Sequence, residues 1–168
     1  EMSMCYADYK SLRTQLKYKE KRWSMFSFTH NLNIISRCTK MERGAALKEY
    51  GLCGGQAMYL LRLCHEPGLS QDELAKRLYV NKSNVARQVA KLEQQGYVIR
   101  KSSPEDKVQL VYPTEKAIEL LPFLQGMVRN WNQYLLEGLT EEEKEQLEAV
   151  MEKISQRARD YIEKEVGW

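Results

Sequence analysis

The chain has 168 residues and a mass of 19.7 kDa, room for one domain of ordinary size or one domain with an appended oligomerisation element. Hydrophobic residues make up 43% and charged residues 29%, with only nine glycines and four prolines, which excludes a disordered, collagenous or turn-dominated chain and favours helices. The formal charge of +3 is unevenly spread: residues 1–50 carry ten basic and five acidic side chains, residues 113–168 seven and twelve, and within 80–104 five cations face Glu93 alone. A compact basic stretch beside an acidic tail is the distribution expected of a polyanion-binding module joined to a non-binding part.

In chain order, residues 1–23 form a basic extension with Lys10, Arg13, Lys17, Lys19, Lys21 and Arg22, and Tyr9, Leu12 and Leu16 on one helical face. Phe28, Leu32, Ile35 and Cys38 recur at helical spacing and predict a helix over 28–49 that ends at Gly51. A second helix is expected from Gly55-Gln56 through Met58, Leu61 and Cys64 until Glu66-Pro67-Gly68 stops it. Ser70 and Glu73 then read as a capping box with Leu69 and Leu74 as its hydrophobic staple, which places a helix at 71–78. Asn81 caps the next helix, which ends at Gly96, with Tyr79-Val80-Asn81 as the turn between them. The pair is a helix-turn-helix in outline.

Tyr97–Lys101 and Val108–Tyr112 are β-rich runs separated by the turn formers Ser102–Asp106, and they predict a hairpin. Thr114 is placed to cap a long helix whose Ala117, Leu121, Leu124, Val128, Trp131 and Leu135 follow a heptad-like seam, with Pro122 expected to bend it. After Gly138, Thr140 and Glu143 make a second capping box for a last helix carrying Leu147, Val150, Ile154, Ala158 and Tyr161.

On a helical wheel of 82–96, Val85, Val89 and Leu92 share one side while Ser83, Asn84, Arg87, Lys91 and Gln94 share the other. Ser83, Asn84 and Arg87 are types that read base edges: Arg donates twice to guanine and Asn pairs with adenine. Lys82, Gln88 and Lys91 are suited to phosphates, as are Ser70 at a helix N-terminus and Arg100, Lys101 and Lys107 on the hairpin. A solvated surface helix is the bland alternative, and an acidic protein partner docking on the same basic face is another.

Catalysis is excluded on inventory. His30 and His65 are the only histidines, and no G-x-S-x-G, P-loop or G-x-G-x-x-G occurs. Cys64-His65 makes no metal site by adjacency, so no metal or cofactor is expected. No run of about 18 apolar residues is present, so no membrane association is expected and a cytoplasmic location is. Cys5, Cys38, Cys53 and Cys64 lack a C-x-x-C pair and read as free thiols. Cys53, before Gly54-Gly55 and an expected helix N-terminus, is the candidate for redox sensing.

Three segments together resemble the MarR-type winged-helix transcriptional regulators: Gly68–Ala75, Val80–Arg87 and Leu92–Val98. The match continues in order through Ser103–Lys107 and Leu110–Ala117 and covers about residues 30–165. The resemblance implies a mainly α fold with a small β-hairpin wing, a winged helix-turn-helix at 54–112, and a helical dimerisation domain from 24–53 and 113–168. It implies a homodimer, with 82–96 as recognition helix and 97–112 as wing, that binds a pseudo-palindromic operator on double-stranded DNA. A repressor released by a small aromatic or apolar effector is the expected mechanism; a thiol-based redox regulator and a winged-helix protein-interaction module are the alternatives. The sequence departs from the family pattern in three places. The wing is one residue shorter, Val108 stands where a second basic residue is usual, and Tyr79 occupies a turn position where glycine is common. The basic extension has no family counterpart; it either extends the dimer, reaches DNA, or is a mobile end.

Overall fold

The structure, a computed structural model, describes residues 23–103 and 108–167, with side chains from residue 27 onward. Nearly all of the basic extension, and Lys107 at the wing tip, lie outside the described residues. The chain divides into two compact units, Glu1–Glu42 and Arg43–Trp168.

The described part of the first unit belongs to helix α1 (Trp23–Ala46). Phe28, Ile34 and Ile35 on it are exposed. The helix predicted at 28–49 therefore starts earlier and stops sooner. Leu47 leaves the helix to become fully buried, and residues Lys48–Tyr50 close a single 3-10 turn before Gly51.

The second unit runs α2 (Ala57–His65), β1 (Leu69–Ser70), α3 (Gln71–Leu78), α4 (Lys82–Gln94), β2 (Val98–Ser102), β3 (Gln109–Pro113), α5 (Glu115–Leu135) and α6 (Glu141–Tyr161), followed by a π-helical turn at Ile162–Val166. Its core draws on most of these elements: Leu60 and Leu63, Leu74, Val85, Val89 and Leu92, Val111, and Ala117 and Leu124 are all fully buried. The apolar spacing of each short helix thus converges on one centre, which is what lets short helices persist.

The strands form a three-stranded antiparallel sheet in the order β1-β3-β2, with Leu69 and Arg100 on either side of Val111. The hairpin was expected, but β1 was not: two residues carry no periodicity, and Leu69-Ser70 becomes a strand only because β3 lies beside it. Both hairpin strands sit one residue later than expected. Tyr97 is withheld from β2 because its N–H donates to the Leu92 carbonyl at 2.9 Å while the Gly96 N–H donates to Glu93 O at 3.0 Å. That is a Schellman termination of α4, with Gly96 at φ +76°.

Thr114 precedes α5, but its side chain does not cap the helix. Its hydroxyl donates instead to the Gly96 carbonyl at 2.8 Å, tying the start of α5 to the end of α4. Pro122 lies on the exposed side of α5, which is helical on both sides of it. The buried stripe of α5 is Ala117, Leu120, Leu124 and Met127, so Leu120 takes the place predicted for Leu121. Beyond Met127 no α5 residue is buried, and none is on α6, although Thr140 and Glu143 form the expected capping box. Among the described residues no helix is long and apolar enough to cross a membrane.

Candidate nucleic-acid interface

The helix pair that carries the candidate face is set by two caps. Ser70 Oγ accepts the Glu73 N–H at 3.2 Å and the Glu73 carboxylate accepts the Ser70 N–H at 2.8 Å, closing the box predicted from sequence. Asn81 Oδ1 accepts the Asn84 N–H at 2.9 Å and starts α4. Between them Tyr79, at φ 51° and ψ 46°, is the one non-glycine with positive φ among the described residues. The Val80 N–H donates to Ala75 O at 3.1 Å and the Tyr79 N–H to Lys76 O at 3.3 Å, a second Schellman turn built on tyrosine where the left-handed conformation favours glycine.

With Val85, Val89 and Leu92 fully buried, α4 turns Ser83, Arg87, Lys91 and Gln94 outward and leaves Asn84 half-exposed. The structure thus brings Ser83, Asn84 and Arg87 together on the solvent side of one helix. Lys82 pairs with Asp72 at 2.7 Å, and Ser83 Oγ donates to Asn81 Oδ1 at 3.1 Å. Arg87 stands near enough to Tyr59 for its charge to offset part of the rise that burial imposes on that phenol. The Tyr59 hydroxyl is buried and finds no hydrogen-bond partner among the described residues.

Gln88, expected to meet a phosphate, is only partly open to solvent. It is half-buried, with Oε1 enclosed and unpaired, so its carbonyl end faces the protein and only its amide nitrogen is free to meet a phosphate. Arg100 is paired: its Nε donates to both carboxylate oxygens of Glu93 at 3.0 and 3.2 Å, and its Nη2 donates to Glu93 Oε2. Hydrogen bonds from Arg100 hold the Glu93 carboxyl below the usual carboxylate range, and Glu93 raises Arg100 in turn. The pairing of Glu93 with Arg100 was not expected from the sequence. Glu93 sits on a helix, seven residues from a partner on a strand, and no single periodicity links the two. Lys101 on β2 is exposed and holds its ammonium 5.3 Å from the Tyr112 ring centroid. Ser70, committed to its capping box, is half-exposed at the start of α3.

Cys53 is exposed but lies in the turn before α2, which begins at Ala57 with Gln56 at its N-cap. The Cys53 N–H donates to Gln56 Oε1 and its carbonyl accepts the Gln56 N–H, both at 2.8 Å. Cys64 is half-buried, and burial pushes its thiol up. Among the described residues no group of three metal-ligating side chains forms. A cleft of about 690 Å³ is lined by Arg62, Glu73, Lys76, Arg77, Tyr79, Arg159 and Glu163, a mostly charged wall.

A capped helix pair packed on an antiparallel hairpin defines a winged helix-turn-helix. The MarR family pattern matches residues 50–107. The HTH-type transcriptional regulator YybA of Bacillus subtilis is 28% identical over 144 residues, covering 83% of this chain and 96% of that protein. The regulator BilQ of Clostridium symbiosum is 29% identical over 117 residues, 69% of this chain and 81% of its own. A crystal structure of the transcriptional regulator SlyA superposes with a TM-score of 0.77 at 28% identity, over 79% of this chain and 94% of the other. A putative MarR family regulator from Listeria monocytogenes, crystallised with 26mer DNA, gives 0.75 at 28% identity over 82% and 94%. Residues 50–107 thus match the MarR family pattern, and the chain is similar over most of its length to winged-helix transcriptional regulators.

Proposed function

We propose that the chain represses transcription as a homodimer that lays one α4 in each major-groove half-site of a pseudo-palindromic operator. The observation that carries this reading is the outward face of α4, where Arg87 and Lys91 have no ion-pair partner among the described residues. Ser83, Asn84 and Arg87 read base edges, while Lys82, Lys91 and Lys101 meet phosphates. Arg100 joins them only by exchanging Glu93 for a phosphate, and Gln88 only through its amide nitrogen. Ser70 meets a phosphate only by turning its hydroxyl away from the Glu73 carboxylate, and Lys107, outside the described residues, adds its charge.

Support for the dimer comes from apolar surface that one chain leaves open. Tyr134 is 66% exposed, Val150 51% and Tyr161 63%, on two helices with nothing buried beyond Met127. Such surface on 113–168 is what a second copy would cover. The dimer then sets the distance between recognition helices, and a small aromatic effector releases DNA by binding better to a dimer of different spacing.

Selection of duplexes from a randomised library, followed by titration at rising salt, tests the reading. Enrichment of a two-fold-related sequence and a steep loss of affinity with salt are expected, with a light-scattering mass of about twice 19.7 kDa. A monomer at micromolar concentration refutes the dimer. Indifference to duplex DNA refutes the operator and favours an acidic protein partner.

A further inference from the structure

The C-terminal end of α4 sits in a polar junction that neither the capping pattern nor the outward face of the helix accounts for. Gln56, 2% exposed, uses both ends of its amide: Oε1 accepts the Cys53 N–H at 2.8 Å and Nε2 donates to Gln95 Oε1 at 3.0 Å. The Gln95 amide nitrogen donates in turn to the Gly51 carbonyl. From the other side, Lys116 on α5 donates to the Gln95 carbonyl at 2.8 Å and holds its ammonium 4.2 Å from the ring centroid of Tyr97. The Tyr97 hydroxyl completes the ring of contacts by donating to Tyr50 O at 3.0 Å.

We propose that Gln56, Gln95 and Lys116 are positioning residues that fix the rotation and tilt of α4 relative to α5, and so set how Ser83, Asn84 and Arg87 meet DNA. The proposal rests on the reading of α4 as the recognition helix. The aliphatic contacts of Val85, Val89 and Leu92 tolerate small slides, because dispersion is weakly directional. A buried amide bridge does not: a one-residue rotation of α4 would leave Gln56 Nε2 desolvated and without its Gln95 acceptor, so the network selects one orientation. Lys116 and Thr114 fasten that orientation to α5, so a shift of α5 reaches the reading face through them. None of the three side chains belongs to the outward face of α4.

The test compares Gln95→Met, Lys116→Met and Lys116→Arg with the unaltered protein. Lys116 is exposed, so its variants fold even if Gln95→Met does not. The DNA readout is the affinity ratio between the duplex selected by the unaltered protein and poly(dI-dC), which cancels any sequence-blind loss of charge. The DNA-independent readout is hydrogen exchange of the amides of 92–97 against those of 57–65. Both methionine variants are expected to lower the ratio about tenfold and to speed exchange at 92–97 alone, while Lys116→Arg retains both. A ratio within twofold of the unaltered protein, with unchanged exchange, overturns the proposal. Faster exchange with an unchanged ratio also overturns it, leaving the junction a stabilising cap. If the unaltered protein selects no duplex, the recognition-helix reading fails instead. Exchange alone then decides whether the clamp holds α4.

Discussion

Gly68→Ala is expected to expose how the sheet holds the wing. Gly68 has φ +85°, and a Cβ built on it would stand 3.1 Å from the Tyr112 hydroxyl oxygen and 3.2 Å from two ring carbons. Its N–H also donates to the Val111 carbonyl at 2.9 Å, so the backbone cannot back away without loosening β3. The left-handed conformation alone costs an alanine about 1–2 kcal/mol. Moving the ring by a few tenths of an ångström adds about 1–3 kcal/mol, the usual range for overpacking. Gly96→Ala isolates the first contribution, since Gly96 is at φ +76° with nothing within 4 Å of the new carbon. Urea denaturation at one fixed protein concentration should therefore show Gly96→Ala losing about 1–2 kcal/mol and Gly68→Ala at least about 1 kcal/mol more, with m unchanged. Adding Tyr112→Val to Gly68→Ala should recover the excess. Equal losses for the two alanines would refute the argument, because the Tyr112 ring would then be free to yield.

At the reading face, Arg87→Ala and Asn84→Ala should each relax base preference at one half-site position at a cost of about 1–3 kcal/mol, whereas Lys91→Ala should weaken all duplexes alike and reduce the salt slope; binding-site selection with each variant separates the two classes. Glu93→Gln should raise affinity for duplexes of any sequence by releasing Arg100, and an unchanged or lower affinity would show that Arg100 takes no part. Because Arg100 lowers the Glu93 carboxyl in the folded chain, the pair's contribution to stability is complete above the ordinary carboxylate range and is lost as the pH falls through the lowered value. A urea midpoint followed downward from about pH 6 should therefore drop less steeply in Glu93→Gln than in the unaltered protein. Cys53→Ser should leave operator affinity unchanged with and without mild peroxide; release by peroxide that vanishes in the variant would make Cys53 a sensor.

The helix starts at Ser70, Asn81 and Thr140 were legible in the sequence because a cap is a local device: one side chain bonds a backbone N–H three residues away, and spacing alone reports it. Gly96 was legible for the same reason, and so was the outward face of α4, since Val85, Val89 and Leu92 mark the buried side by their period. The segments that resemble the MarR family are these same local devices in a particular order. What remained hidden depends on partners far apart in the chain. Leu69-Ser70 is a strand only beside β3, Thr114 forgoes its own helix for the Gly96 carbonyl, and Arg100 turns from solvent to Glu93. Gln56 looks like any polar residue at a helix start until packing buries it against Gln95. Period and capping are properties of a few neighbouring residues, and the sequence alone determines them. Which donor meets which acceptor across elements is decided when the core closes, because only then does desolvation make one pairing cheaper than water.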